Sequence, residues 1–431
     1  MTDSLRYLFG LEQFGIKFGL DNICTLMDDL GHPERSFRSL HIAGTNGKGS
    51  VTAMADAVLR AAGLRSARYT SPHLLDLTER FVVDGVPVTK DALVAVVSDL
   101  RDRIERLLGA GLLQAQPTFF EVTTAAALEL FRRANVEIGV IEVGLGGRLD
   151  STNVITPVAS AITSIAFDHE QYLGRTLSAI AAEKGGIIKA NVPVVIGSLP
   201  PEAEATIEQI ARDRGAAVVR APDGVSVDRV PQPRGGMTRI RLRTPRCDYG
   251  ELSVSLRGTH QVGNAVVAVR LIELPEATGQ RVPPEAIVHG LGHVTWPGRL
   301  EHRRFPDGRE MILDAAHNPA GAATLAAYLD ETLDAKPPLV FAAMGDKDVV
   351  RMFESLLPAV SAVVVTRTSS SRSAAPDALA QQAAAVAPLL PVIVHPVLAD
   401  ALEEAWKMSR QIVVAGSIFL LADVMKSVRW P

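Results

Sequence analysis

The sequence predicts an α/β protein of two domains, each built on a central, mostly parallel sheet, with a small antiparallel sheet in the middle of the chain. Three observations carry this. Short apolar runs alternate with helical patterns over most of the 431 residues. A Gly-rich loop stands between a strand pattern and a helix pattern near the start. The middle of the chain switches to period-two alternation, after which the α/β rhythm restarts.

The elements follow in order. Residues 40–43 read as a strand. Val51, Met54, Ala55, Val58 and Leu59 then recur at helical spacing, with Gly63 as the stop. Apolar runs at 136–143, 158–167 and 192–197 read as buried strands. Residues 237–244 and 251–257 alternate, with a turn at 245–250 between them, and form a hairpin. A helix is expected over 261–274 and a linker over 292–298. Strands at 311–313, 339–343, 362–366, 392–395 and 412–415 alternate with helical patterns. The expected domains are 1–296 and 297–431, the second large enough for its own core.

Composition narrows the function. Hydrophobic residues are 47% and charged residues 21%, which excludes global disorder. Lys and Arg number 44 against 48 Asp and Glu, a net charge of −4, so wholesale attraction to nucleic acid is not expected. Cys24 and Cys247 lack metal or redox spacing and suit a reducing cytosol. The first residues lack a basic segment followed by an apolar core. The longest apolar stretch, 412–422, is too short for a bilayer core of about 30 Å. A cytoplasmic protein with no membrane partner is expected.

The sharpest motif is Gly44-Thr45-Asn46-Gly47-Lys48-Gly49-Ser50. Glycines let backbone N–H groups converge on phosphate oxygens, and the following helix adds its N-terminal partial charge. Lys48 can reach β- and γ-phosphates, and the Ser50 hydroxyl can ligate Mg²⁺. The strict pattern is not met: Gly49 follows the lysine, and Ile42 stands where the first glycine belongs.

Other residues are ambiguous locally. Glu142 ends a strand pattern, where open α/β sheets place their ligand crevice, and is followed by GLGGRLD. Asp168-His169 ends the next run and reads as a ligand beside Ser50 and Glu142, though imidazole is a less usual Mg²⁺ ligand. Lys184 lies at the end of a helix starting near Thr176, where a cation answers the helix dipole. Phe119 and Phe120 offer a stacking face or plain core packing. Arg299 reads as a surface ion-pair residue, Asp314 as a turn or cap, and His317-Asn318-Pro319 as a helix start.

Taken together, these motifs resemble the Mur ligase superfamily, specifically its folylpolyglutamate synthase and dihydrofolate synthase branch. The phosphate loop is joined in order by Ser71-Pro72-His73-Leu74, Glu142 to Asp150, Phe167-Asp168-His169, Glu183-Lys184-Gly185-Gly186, His260-Gln261 with Asn264, Pro297 to Glu301, and Asp314 to Pro319. The resemblance implies an N-terminal P-loop ATPase domain and a C-terminal Rossmann-like domain carrying glutamate ligation. It implies ATP contacts from Gly44 to Ser50, Asn264, Arg299 and Asp314, drawn from both domains and hence a cleft between them. It implies two Mg²⁺ ions held by Ser50, Ser71, Glu142 and His169, and a carbamylated Lys184 supporting the second ion. A monovalent cation is a further implied cofactor. Thr118, Phe119, Phe120, Glu121, Arg148 and Asp150 match the pterin side. Arg80 and His317, with Lys48 and Lys184, are the expected catalytic residues. The implied substrates are dihydropteroate or a reduced folate, and L-glutamate, on a monomeric enzyme.

The implied reaction moves the γ-phosphoryl of ATP to a pteroate or folate carboxylate, and glutamate then displaces the phosphate to form an amide. One alternative is an enzyme that only extends folates. Two others are a ligase for a cell-wall nucleotide and a nucleotide-binding module without ligase activity. The SPHL segment and the Asn-bearing loop argue against the cell-wall reading. The intact loop lysine, metal acids and Asp-His pair argue against an inactive module.

Overall fold

The structure, a computed structural model, describes residues 2–15, 17–230, 237–274, 279 and 282–428. The chain divides into two compact units. One comprises residues 1–228, 240–253 and 263–294; the other comprises 229–239, 254–262 and 295–431.

The first unit holds β1 (Arg38–Ala43), β2 (Ser66–Tyr69), β3 (Phe81–Val83), β4 (Val86–Pro87), β5 (Ile138–Glu142), β6 (Ala159–Ile162), β7 (Val194–Ile196) and β8 (Val218–Arg220). They form one sheet in the order β4-β3-β2-β5-β1-β6-β7-β8. β2, β5, β1, β6, β7 and β8 run parallel, and β3 and β4 add an antiparallel edge. All five residues of β5 are buried, as a strand covered on both faces requires. Helix Lys48–Ala61 follows the apolar spacing read from the sequence, and a second helix spans Phe119–Arg133. Tyr69, Phe81 and Phe131 anchor one core of this unit.

The register places the functional end of the sheet. Ile42 of β1 pairs with Glu142 of β5, so Glu142 ends level with the start of the phosphate loop. The run at 158–167 is a strand only as far as Ile162. Thr163, Ser164 and Ala166 leave the sheet because their polar groups bond the phosphate loop instead. His169 therefore does not end a strand; it caps the short helix Glu170–Leu173 with φ +52°.

The period-two region forms a small antiparallel sheet of β9 (Ser226–Arg229), β10 (Thr238–Arg243) and β11 (Asp248–Val254), ordered β11-β10-β9. The turn is tighter than expected: the Thr244 N–H donates to the Cys247 carbonyl, and β11 begins at Asp248. β9 was not read from the sequence, because SVDR carries little apolar alternation.

The second unit holds β12 (Glu301–Arg304), β13 (Glu310–Leu313), β14 (Pro338–Phe341), β15 (Ala362–Val365), β16 (Val392–Val394) and β17 (Gln411–Ala415). Their order is β12-β13-β17-β14-β15-β16. All neighbours are parallel except β12 with β13. β12 also escaped the sequence reading, since EHRR offers no apolar face. Phe341, Phe353 and Leu325 lie in the core of this unit.

Candidate active site

β1 ends at Ala43, and the loop from Gly44 leads into helix Lys48–Ala61 with Gly47 at the N-cap. Gly44 and Gly47 have φ of +150° and +83°, which L side chains rarely adopt. Space is as restrictive as conformation. A Cβ on Gly44 would stand 2.0 Å from Thr163 Oγ1, and one on Gly47 would stand 2.5 Å from Asn264 Oδ1. Gly47 offers the first helical turn no capping side chain, so those N–H groups suit an anion. Ser50 is buried in that first turn.

The loop is held from β6's extension. Thr163 Oγ1 and Ser164 Oγ donate to the Asn46 carbonyl at 2.6 and 3.0 Å. The Asn46 N–H donates to Ser164 Oγ at 3.0 Å, and the Thr45 N–H to the Ser164 carbonyl at 2.8 Å. Thr45 Oγ1 donates to the Ala166 carbonyl at 3.1 Å and accepts from the Ala166 N–H at 3.0 Å. Sequence reasoning missed Thr163 and Ser164, since nothing local marks two hydroxyls at a strand's end.

Two lysines meet this loop. Lys48 Nζ donates to the carbonyls of Gly44 and Thr45, at 3.0 and 3.2 Å. Lys184 Nζ donates to the same Gly44 carbonyl at 3.0 Å. Lys184 lies at the end of helix Leu177–Gly185, which starts where expected and is capped by Thr176. Its side chain serves the loop rather than the helix dipole. Burial, with the nearby Lys48 charge second, brings its pKa down to about 7.

Ser71 and Glu142 also come together: the Ser71 N–H donates to Glu142 Oε2 at 3.3 Å. Arg80 Nε donates to His73 Nδ1 at 3.0 Å, and its guanidinium lies 5.2 Å from the Phe119 ring centre. Arg80 is 7% exposed, and burial lowers its pKa. The SPHL segment, Arg80 and Phe119 are thus neighbours.

Phe119 and Phe120 are half-buried. Phe119 stacks on Phe9 at 6.0 Å and Phe120 on Tyr69 at 6.1 Å. Thr118 and Glu121 form a capping box: the Glu121 N–H donates to Thr118 Oγ1 at 3.2 Å, and the Thr118 N–H to Glu121 Oε2 at 2.7 Å. Asp150 is buried and accepts from the N–H groups of Leu145 and Thr152, at 2.8 and 3.0 Å. Burial raises its pKa. Arg148 pairs with Glu183 at 2.8 Å, tying the GLGGRLD turn to the helix that carries Lys184.

In the second unit, Asp314 and His317 follow β13, at the C-terminal edge of the parallel strands, where open α/β sheets bind their ligands. Asp314 accepts from the N–H groups of Leu300 and Ala316, at 2.8 and 2.9 Å, and burial raises its pKa. Arg299 is close enough to oppose that rise. His317 Nδ1 lies 2.8 Å from the Ala315 carbonyl and so carries its proton there. Asn318 caps helix Pro319–Thr332.

The donors fit Mg²⁺ in kind. Ser50 and Glu142 supply buried oxygens, and His169 a nitrogen. Among the described residues, no group of three or more His, Cys, Asp or Glu side chains could hold a metal alone.

The chain matches the Mur ligase middle domain over residues 42–272 and the Mur ligase glutamate ligase domain over 298–421. It is 36% identical over 358 residues to the dihydrofolate synthase/folylpolyglutamate synthase of Bacillus subtilis (strain 168), covering 82% of each chain. The Mycobacterium tuberculosis folylpolyglutamate synthase complexed with ADP and AMPPCP superposes with a TM-score of 0.89 at 34% identity, over 100% of both chains. The Escherichia coli FolC structure in complex with DHPP and ADP gives 0.85 at 27% identity, over 99% of this chain and 97% of that one. With the phosphate loop, the paired lysines and the strand-end acid in place, the chain belongs to the Mur ligase superfamily, in its dihydrofolate synthase/folylpolyglutamate synthase branch.

Proposed function

We propose that the chain is an ATP-dependent ligase that forms an amide between a pteroate or folate carboxylate and L-glutamate, acting as a cytoplasmic monomer. The observation that carries this is the braced phosphate loop, on whose Gly44 carbonyl the Lys48 and Lys184 side chains converge. When ATP occupies the loop, Lys48 swings from its carbonyl partners to the β- and γ-phosphates. The substrate carboxylate oxygen attacks the γ-phosphorus and the bond to ADP breaks. The glutamate amine then attacks the acyl carbon, phosphate leaves, and the nitrogen gives up a proton. Arg80 and His317 are the groups that steer the acyl phosphate and the incoming amino acid.

Mg²⁺ would be held by Ser50 and, at a second position, by Ser71, Glu142 and His169; when bound it offsets charge on the phosphates. Lys184 supports the second position as a carbamate. Asn264, Arg299 and Asp314 serve the nucleotide. Phe119 and Phe120 face the pterin, while Glu121, Arg148 and Asp150 hold the backbone around it. A monovalent cation is an optional further cofactor.

ADP formation in the presence of glutamate and Mg²⁺ tests this, run with dihydropteroate, with tetrahydrofolate, and with neither. Turnover that needs either pterin is expected. ADP formed equally without a pterin, or no ADP at all, overturns the reading. Turnover with only one pterin assigns a single activity, and turnover with both assigns two.

A further inference from the structure

The ten histidines of the chain are spread from His32 to His395, and only two of them, His289 and His293, are exposed. Those two touch. They lie four residues apart on helix Pro284–His293, the spacing that sets two side chains one above the other on one face. Their ring centres are 4.1 Å apart, and the rings are within 23° of parallel. Ala286, Ile287, Gly290 and Leu291 of the same helix are buried and supply its packing face. The pair therefore lies outside the core and presents two imidazoles side by side to solvent.

One hydrogen bond fixes the second ring. His293 Nδ1 lies 2.8 Å from the His289 carbonyl oxygen, which can only accept, so Nδ1 carries the proton. In the neutral ring the lone pair is then on Nε2. A backbone carbonyl on one ring nitrogen is the arrangement by which proteins set the tautomer and orientation of a metal-binding histidine. The dipole at the helix C-terminus favours a cation at the same place. A histidine that served only the dipole would need neither a second ring nor that bond.

We propose that His289 and His293 form a two-imidazole site for a borderline divalent cation of the Zn²⁺ or Ni²⁺ class, with water at its remaining positions. Imidazole nitrogen suits these ions, whereas Mg²⁺ takes oxygen donors, so the site differs in chemistry from the ion that accompanies ATP. Among the described residues no third His, Cys, Asp or Glu completes the cluster, which makes it an open site.

A bound ion fastens the last turn of the helix, because both ligands must keep their places while it is held. That turn lies against the phosphate-loop helix. A Cβ on Gly290 would stand 2.6 Å from Val58 Cα, so the two backbones touch there. Gly290 stands between the two histidines in the chain, and Val58 belongs to helix Lys48–Ala61. The ion thus clamps the turn that backs the phosphate-loop helix. The site does not depend on the ligase reading and goes beyond it.

The test is calorimetric titration of the untagged full chain with Ni²⁺, with Mg²⁺ and ADP in excess to fill the nucleotide site. The proteins are the wild type, His289→Ala, His293→Ala and the double variant. Both positions are exposed and alanine favours a helix, so the variants keep the fold, and melting temperatures without Ni²⁺ check this. The wild type is expected to bind one Ni²⁺ more than the double variant. Each single variant should weaken that site about ten-fold or more. Amide exchange at residues 290–293 should slow when Ni²⁺ is added to the wild type and stay unchanged in the double variant. Equal stoichiometry and affinity in all four proteins overturn the site, as does a loss confined to one of the two single variants.

Discussion

Lys184 Nζ lies 3.0 Å from the Gly44 carbonyl oxygen, although 140 residues separate the two along the chain. Lys48 Nζ holds the same oxygen. Two ammonium groups on one buried acceptor repel each other, and burial with this repulsion brings the Lys184 pKa to about 7. A substantial neutral fraction near pH 7 follows. A neutral amine is the form that adds CO₂, giving a carbamate and releasing a proton.

The proposed Lys184 carbamate has a direct consequence. Protein stripped of CO₂ should turn over more slowly and recover when bicarbonate is added. Lys184→Gln should lose roughly 10²-fold in kcat with or without bicarbonate. Wild-type rates that ignore bicarbonate would leave Lys184 a simple amine.

The loop geometry predicts a second pair of effects. Gly44→Ala forces a Cβ against Thr163 Oγ1, so ADP binding by calorimetry should be lost. Thr163→Val keeps the shape and removes the donor to the Asn46 carbonyl. Its ADP affinity should fall about five-fold, the equivalent of about 1 kcal/mol for one hydrogen bond. Unchanged affinity in both variants would remove the loop from nucleotide binding.

His41 predicts acid sensitivity. It is wholly buried on β1, with Nε2 2.9 Å from Thr152 Oγ1. The Thr152 hydroxyl donates to Asp150, so Nε2 carries the His41 proton. Burial lowers the His41 pKa to about 3. Between about pH 6.5 and 3 the unfolded chain binds a proton that the folded chain refuses, so stability falls as pH drops. The full loss is on the order of 5 kcal/mol. In thermal melts, the deficit of His41→Gln relative to wild type should therefore shrink from pH 7 to pH 4. A constant deficit would show that His41 does not titrate in this way.

The capping box predicts a local effect on the pterin side. Thr118→Ala should cost about 1 kcal/mol of stability, because the Glu121 N–H loses its acceptor. KM for the pterin should rise with it, since Phe119 and Phe120 begin that helix, while KM for ATP should not move. A matching rise in KM for ATP would mean a global effect.

Local chemistry made part of this protein legible from its residue order. The phosphate loop was readable because glycines, a lysine and a hydroxyl stand together between a strand and a helix. The same holds for Glu142 at a strand's end, for a helix start near Thr176, and for β1, β5, β6, β7 and the parallel strands of the second unit, whose apolar runs carry their own signal; β2 and β8, at four and three residues, were too short to read. β9 and β12 were not readable, because SVDR and EHRR lack apolar alternation. Nor was the end of β6, where Thr163 and Ser164 bond the loop 117 and 118 residues away instead of extending the strand. A hydrogen bond between distant residues leaves no periodic trace in either segment. For that reason the role of Lys184 at Gly44 and the enclosure of Asp150 by Leu145 and Thr152 were decided only when the folded chain brought them within reach.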